Sequence, residues 1–189
     1  MLTDRLAKAL AVAINAHHGQ SRKGTKIPYV SHPMAVASIA LEYGADEDQA
    51  IAALLHDVLE DGGAHYAHEI EAQFGSRVLA IVQGCTDGVH DERGQKPAWQ
   101  QRKEAYLTHL QNASEDVLLV SGSDKLHNAR AILGDLQSTG LTVFDRFTAG
   151  QRGTLWYYSS LSNLFMSRKA PMAAALEAAV RQLHLAVAG

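Results

Sequence analysis

One cysteine, Cys85, is present among 189 residues. A lone thiol excludes an internal disulfide and fits a reducing cytoplasm. In an apolar helical setting it is a packing residue before it is a nucleophile. Proline is equally scarce, at four residues, and the apolar positions recur every three or four residues rather than alternating. An all-α protein is therefore expected. No apolar run approaches the roughly 18 residues that a membrane span needs. The start, Met1-Leu2-Thr3-Asp4-Arg5, lacks the basic-then-apolar order of a secretory signal. The expectation is a cytoplasmic protein with no membrane partner. A net charge of −3 argues against a general nucleic-acid binder. No sequence feature indicates an oligomeric state.

The missing charges are regional. From Arg5 to Leu41 there is no acid, while Arg5, Lys8, Arg22, Lys23 and Lys26 supply base. From Glu42 to Ser76 there is no Lys or Arg, and nine acids stand there. A basic segment beside an acidic one suits a site for an anionic ligand and a cation together.

The rest of the chain reads as a series of helices in one domain, residues 1–189. Leu2, Leu6, Leu10, Ile14 and His17 mark a first amphipathic helix, and Gly19 to His32 a loop. Pro33 suits the first turn of a second helix, which stops at Gly44. Asp46 or Glu47 opens a central helix expected to continue through His56-Asp57-Val58-Leu59-Glu60-Asp61 to Gly62-Gly63. Short helices follow over Ala67 to Phe74 and Ser76 to Cys85, then an exposed loop over Thr86 to Pro97. A helix from Ala98 to about Gln111 comes next. Ser114, followed by Glu115 and Asp116, caps a buried helix expected to reach Leu133. Gly134 to Phe147 is a connection, and helices over Thr154 to Arg168 and Pro171 to Val187 complete the chain. The Trp156-Tyr157-Tyr158 cluster reads as core.

Three polar insertions interrupt this apolar pattern: His32, the pair His56-Asp57, and Asp124. Each alone has an ordinary reading as a helix cap, a satisfied core histidine or a salt-bridge partner. Together they offer two imidazoles and two carboxylates, a full primary set for one Mn, Fe, Zn or Mg ion with positions left for water. Three buried polar groups without such a purpose are costly. On a continuous helix His56 would lie beside Glu60 and Asp57 beside Asp61. Glu60 would then stand one turn away, within reach of a water at the ion. His65 and His68 adjoin Gly62-Gly63 and do not extend the set, so a single ion is expected.

Four motifs stand in register: Arg22-Lys23-Gly24-Thr25, Pro28-Tyr29-Val30-Ser31-His32-Pro33, His56-Asp57-Val58-Leu59-Glu60-Asp61 and Asp124-Lys125-Leu126-His127-Asn128. In order and spacing, over about residues 5–135, the chain resembles the HD-domain hydrolase half of RelA/SpoT proteins, most of all the stand-alone small alarmone hydrolases. The resemblance implies an HD helical bundle that holds one manganese ion by His32, His56, Asp57 and Asp124. It implies removal of the 3′-pyrophosphate from guanosine tetra- or pentaphosphate. Glu60 and Asp61 match the acid pair that handles the attacking water, and Asn128 a residue near the ribose. Arg22 and Lys23 match the basic loop beside the nucleotide, with Lys26 as a further point charge. Two departures stand out: Ser121 occupies a position where full-length relatives usually carry Lys, and Lys26-Ile27 lengthen the basic loop. The alternatives are a phosphohydrolase of another nucleotide (a dNTP, a nucleoside monophosphate or NADPH) and a non-catalytic alarmone sensor.

Overall fold

Asp46 starts the helix that the others surround. Its side chain accepts the Gln49 backbone N–H, and the Gln49 side chain returns the bond to the Asp46 N–H. Two donors that a helix start leaves without partners are satisfied, or oriented, by that reciprocal pair. The helix it opens, α3 (Glu47–Leu55), is buried from Ala50 through Leu55. Alanines at 50, 52 and 53 let neighbouring backbones approach. Ile51 and Leu55, both fully buried, contribute about 2 kcal/mol each by leaving water.

The computed structural model describes residues 1–87 and 97–189; the expected loop over Thr86 to Pro97 lies mostly outside them. Around α3 pack α1 (Asp4–Ala16), α2 (Ser31–Glu42), α5 (Ser76–Cys85) and α7 (Glu115–Thr139). Helices α4 (Tyr66–Phe74) and α6 (Trp99–Asn112) flank this group, and α8 (Gly150–Ser167) and α9 (Ala173–Ala188) close it against α7. Among the described residues no strand is present; a lone antiparallel bridge joins Ser21 to Pro28. The fold class is all-α, as the apolar spacing indicates. No helix among the described residues is long and apolar enough to cross a membrane.

The bridge closes the basic loop at the end of α1. Arg22 N donates to Ile27 O and Tyr29 N to Gln20 O, both at 2.9 Å. Gly24 turns the chain at φ +74, in the left-handed region where a Cβ is unwelcome.

Two expectations need correction. The central helix does not continue through the His-Asp stretch. Regular α3 ends at Leu55, and a five-residue π turn, Val58–Gly62, follows. The wider turn interrupts the regular register after Leu55, although Asp61 N still donates to Asp57 O at 2.9 Å. Helix α7 does not stop at Leu133 either. Its 25 residues run to Thr139, about 37 Å at 1.5 Å per residue. A 3-10 turn, Gly140–Arg146, then leads back to the molecule.

Candidate metal centre

Each of the helices α2, α3 and α7 brings a donor to one point. His32 sits in the first turn of α2, His56 and Asp57 where α3 stops, and Asp124 midway along α7. His56 is fixed by its backbone: Nδ1 stands 2.8 Å from Ala53 O, and a carbonyl only accepts, so Nδ1 carries the proton. Its Nε2 therefore presents a lone pair or a second proton to the interior. That atom is buried without a hydrogen-bond partner, although Asp57 Oδ2 is 3.0 Å away. His32 Nε2 faces the same space, 3.2 Å from Asp124 Oδ1 and 3.5 Å from Asp57 Oδ2. Donor atoms of His32, His56 and Asp124 all lie within 4.8 Å of one another. An orphaned imidazole nitrogen aimed at convergent carboxylates is what a mixed N/O site for a divalent cation provides. The residues fit such an ion.

His56, Asp57 and Asp124 shift one another's protonation. Burial opposes charging of His56, but Asp57 and Asp124 outweigh it and raise its pKa to about 9. Burial likewise opposes ionisation of Asp57, yet His56 and His32 hold it well below the ordinary carboxylate range. For Asp124 the opposing burial is overcome first by Lys125 and then by the two histidines. Tyr29 donates its hydroxyl to Asp57 Oδ2 at 2.6 Å. Burial, and then the Asp57 charge, push the phenol upward, so it stays a donor. Asn128 Nδ2 donates to Asp124 Oδ1 at 2.5 Å, and Lys125 Nζ to Asp124 Oδ2 at 2.6 Å. On the far side of His32, Nδ1 stands 2.8 Å from Nδ1 of His127. Such outer partners fix the tautomer and orientation of metal-binding groups.

The centre opens into a cavity of about 610 Å³. Arg22 and Lys23 of the basic loop line it, with Tyr29, Glu60, Asn128 and Arg146. Arg22 Nη2 donates to Asn128 Oδ1 at 2.9 Å, so a guanidinium, an amide and Asp124 form one chain of contacts. Of the residues expected from sequence, His32, Asp57, Asp124, Glu60, Asn128, Arg22 and Lys23 share this cavity wall, and His56 stands behind it. Lys26 is exposed and not part of the wall, which its neighbours Thr25 and Ile27 line. Asp61 is also off the wall; it is exposed and accepts from Gln20 Nε2 at 3.0 Å. Ser121 is buried and bonded to the Tyr106 hydroxyl at 2.8 Å.

Sequence reading passed over several residues that the fold brings here. Tyr29, Lys125 and His127 lie inside quoted motifs, and His127 falls three residues after Asp124, on the same helix face. Arg102 and Lys103 arrive from α6, and Arg146 from the 3-10 turn. Their sequence surroundings are polar and carry no comparable signal.

Fold and site together define an all-helical protein with a mixed histidine–aspartate centre for a divalent metal. The family model described as HD domain matches residues 9–155, and the chain belongs to that family. It is 35% identical over 165 residues to the bifunctional (p)ppGpp synthase/hydrolase SpoT of Escherichia coli (strain K12), covering 84% of this chain and 21% of that protein. The chain thus spans about a fifth of SpoT. It is 38% identical over 128 residues to the guanosine-3′,5′-bis(diphosphate) 3′-pyrophosphohydrolase MESH1 of Xenopus tropicalis, covering 66% of this chain and 68% of that protein. A solved structure of a metazoan SpoT orthologue, described as hydrolysing ppGpp, matches with a TM-score of 0.77 at 28% identity. That match covers 96% of this chain and 97% of the other.

Proposed function

We propose that this chain is a manganese-dependent hydrolase that removes the 3′-pyrophosphate from guanosine tetra- or pentaphosphate. The products are GDP or GTP and pyrophosphate, and the whole chain acts as one HD unit. The observation that carries this reading is the placement of the centre. One imidazole and two carboxylates, with His56 directly behind them, converge at the wall of a 610 Å³ cavity that Arg22, Lys23 and Arg146 also line. Relatives whose names state this activity support it, MESH1 over two thirds of its length.

His32, His56, Asp57 and Asp124 would hold the ion. When bound, a divalent cation neutralises phosphate charge and makes water more acidic near neutrality. The reaction adds water across the bond between the 3′-oxygen and phosphorus: OH goes to phosphorus and H to the ribose oxygen. Glu60, on the cavity wall, takes a proton from the attacking water. Asp61, tied to the basic loop by Gln20, positions the π turn that carries Glu60. Asn128 bonds the ribose, in exchange for part of its contact with Arg22. Arg22 stacks on the base or grips phosphate through its planar fork, and Lys23 acts as a point charge.

The test is product profiling. Purified protein with Mn²⁺ is offered guanosine tetraphosphate, NADPH, dGTP and GMP, and the products are separated by ion exchange. GDP plus pyrophosphate, lost on chelation, is the expected result. Turnover of another nucleotide alone replaces the substrate, and tight binding without turnover replaces the enzyme by a sensor.

A further inference from the structure

Asp124 has two oxygens, and they face different company. Oδ1 meets His32 and Asn128, and through Asn128 the Arg22 guanidinium of the basic loop. Oδ2 meets Lys125. Beyond Lys125 the same cavity is walled by Arg102 and Lys103 from α6 and by Asp87. Neither cation of α6 belongs to the metal set, and nothing in the reaction described so far uses them.

Among the described residues, the charges in this part of the cavity do not balance. Arg102, Lys103 and Lys125 are three cations. Asp87 is the acid that pairs with Lys103 and, at 3.5 Å, with Arg102. Asp124 pairs with Lys125 but is also committed to the metal centre. Adding a divalent cation increases the positive excess. The side chains of Lys103 and Lys125 are only 15% and 11% exposed, so water screens them poorly.

The ammonium groups are also held in place. Lys103 Nζ lies 4.8 Å from the centre of the Tyr157 ring, and Lys125 Nζ 5.2 Å from that of Tyr106. Aromatic faces position cations without cancelling their charge. Burial first, and then the neighbouring Lys125 charge, push Lys103 below its ordinary range. Among the described residues, Arg102 Nε, the Tyr157 hydroxyl and Asp87 Oδ1 are buried without a hydrogen-bond partner. Fixed, partly buried cations with donors left over form a site prepared for a multiply charged oxyanion.

We propose that Arg102, Lys103 and Lys125 form a second anion subsite, which receives the pyrophosphate group while the basic loop holds the nucleoside end. The assignment rests on the function proposed above. In it, Asp124 divides the cavity: the nucleoside lies on the Asn128 side of the carboxylate and the departing diphosphate on the Lys125 side. A substrate must carry phosphate on both sides of its ribose to fill the cavity. A nucleoside monophosphate leaves the α6 cations without a partner, so the subsite selects for a diphosphate on the scissile side.

The experiment is calorimetry on manganese-loaded protein, with manganese pyrophosphate and GDP titrated separately. In Lys103→Met and Arg102→Gln, pyrophosphate binding is expected to weaken about tenfold or more for each charge-assisted hydrogen bond removed. GDP binding stays within about twofold. Lys103→Arg, which keeps the charge, restores most of the affinity. Arg22→Ala gives the opposite pattern, weakening GDP and sparing pyrophosphate. Should Lys103→Met fail to fold, Arg102→Gln carries the test. Equal pyrophosphate affinity in the wild type and the folded variants overturns the subsite, as does no pyrophosphate binding by the wild type. Failure of the proposed function looks different: guanosine tetraphosphate is not hydrolysed, while the calorimetry still reports whether the α6 cations bind pyrophosphate.

Discussion

His127 presents Nδ1 to Nδ1 of His32 at 2.8 Å, and only one of the two nitrogens can carry the proton between them. Burial, and then the nearby His32 and Arg22 charges, lower the His127 pKa to about 4, so His127 is neutral at neutral pH. With the Nε2 lone pair of His32 reserved for the ion that the centre would hold, Nδ1 of His32 is the donor and His127 the acceptor. Replacing His127 by Phe removes that acceptor and frees the His32 ring. Metal affinity is expected to fall about 10- to 100-fold, read as metal retained against a competing chelator. His127→Asn, whose side-chain oxygen stands near the former Nδ1, should retain most of it. Equal retention in the Phe variant would remove His127 from the centre.

Glu60 and Asp57 separate chemistry from metal binding. Asp57→Asn removes an anionic donor 3.0 Å from His56 Nε2, so metal and turnover should disappear together. Glu60→Gln keeps every group of the donor set and removes the base. Metal content should be unchanged while turnover drops about 10²- to 10⁴-fold. Elemental analysis and a pyrophosphate-release assay on the same preparations check both. Normal turnover by Glu60→Gln would assign the proton to another group.

What sequence revealed about this site depended on pattern strength. His32, His56, Asp57 and Asp124 were legible because each interrupts an apolar helical run, and burial of such groups demands a shared purpose. The break after Leu55 was not legible. Val58 continues the apolar pattern of Ile51 to Leu55, and a π turn changes the backbone bonds without changing hydropathy. Arg102 and Lys103 read as the polar face of a surface helix because long basic side chains bury their stems and leave the same signature. Lys26 shows the converse. Three bases in one loop look alike in sequence, and only the folded loop shows that Arg22 and Lys23 line the cavity while Lys26 does not.

Arg146 gives the Gly134 to Phe147 connection a use. Its Nη1 donates to Asp135 Oδ2 at 2.6 Å, and its side chain lies over Gly24. A Cβ built on Gly24 would meet Arg146 Cδ at 2.7 Å. Arg146→Ala should raise KM for guanosine tetraphosphate about tenfold, the cost of one charge-assisted hydrogen bond, with little change in kcat. Gly24→Ala should raise KM as well, through a strained left-handed backbone and a displaced Arg146. Steady-state kinetics decide it; a kcat loss without a KM change would place Arg146 with the chemistry instead.

Asp46 lies at the other end of α3, away from the cavity, and tests the fold alone. Its Oδ1 accepts the Gln49 N–H at 2.9 Å, and its Oδ2 accepts from Arg77 at 2.7 Å. Partial burial opposes ionisation, but the cap N–H and Arg77 outweigh it and set the pKa below its ordinary 3.8. A depressed carboxylate stabilises the fold fully above its unfolded value and ceases to as pH falls through the folded one. Asp46→Ala should therefore cost about 1 kcal/mol at neutral pH, lowering Tm by roughly 2–4 °C. The gap to the wild type should close in strong acid. A gap that persists at acid pH would mean that the aspartate's charge is not what caps the helix.

Gly122 ties the fold to the centre most directly. It lies two residues before Asp124, where α7 meets the fully buried Met172 at the start of α9. A Cβ at this position runs into Met172 Sδ, so Gly122→Ala forces either the methionine or the helix to move. Overpacking of this kind costs about 1–3 kcal/mol, and the flexible thioether places the expected value toward the lower end. Movement of α7 also carries Asp124 away from His32, so metal retention should decline along with Tm. Met172→Ala opens the space, and in that background the added methyl should cost less; the difference is the coupling energy of the pair. If Gly122→Ala lowers Tm but leaves metal retention intact, Met172 yields and α7 stays in place. If neither changes, the close approach of α7 to α9 does not hold the centre together.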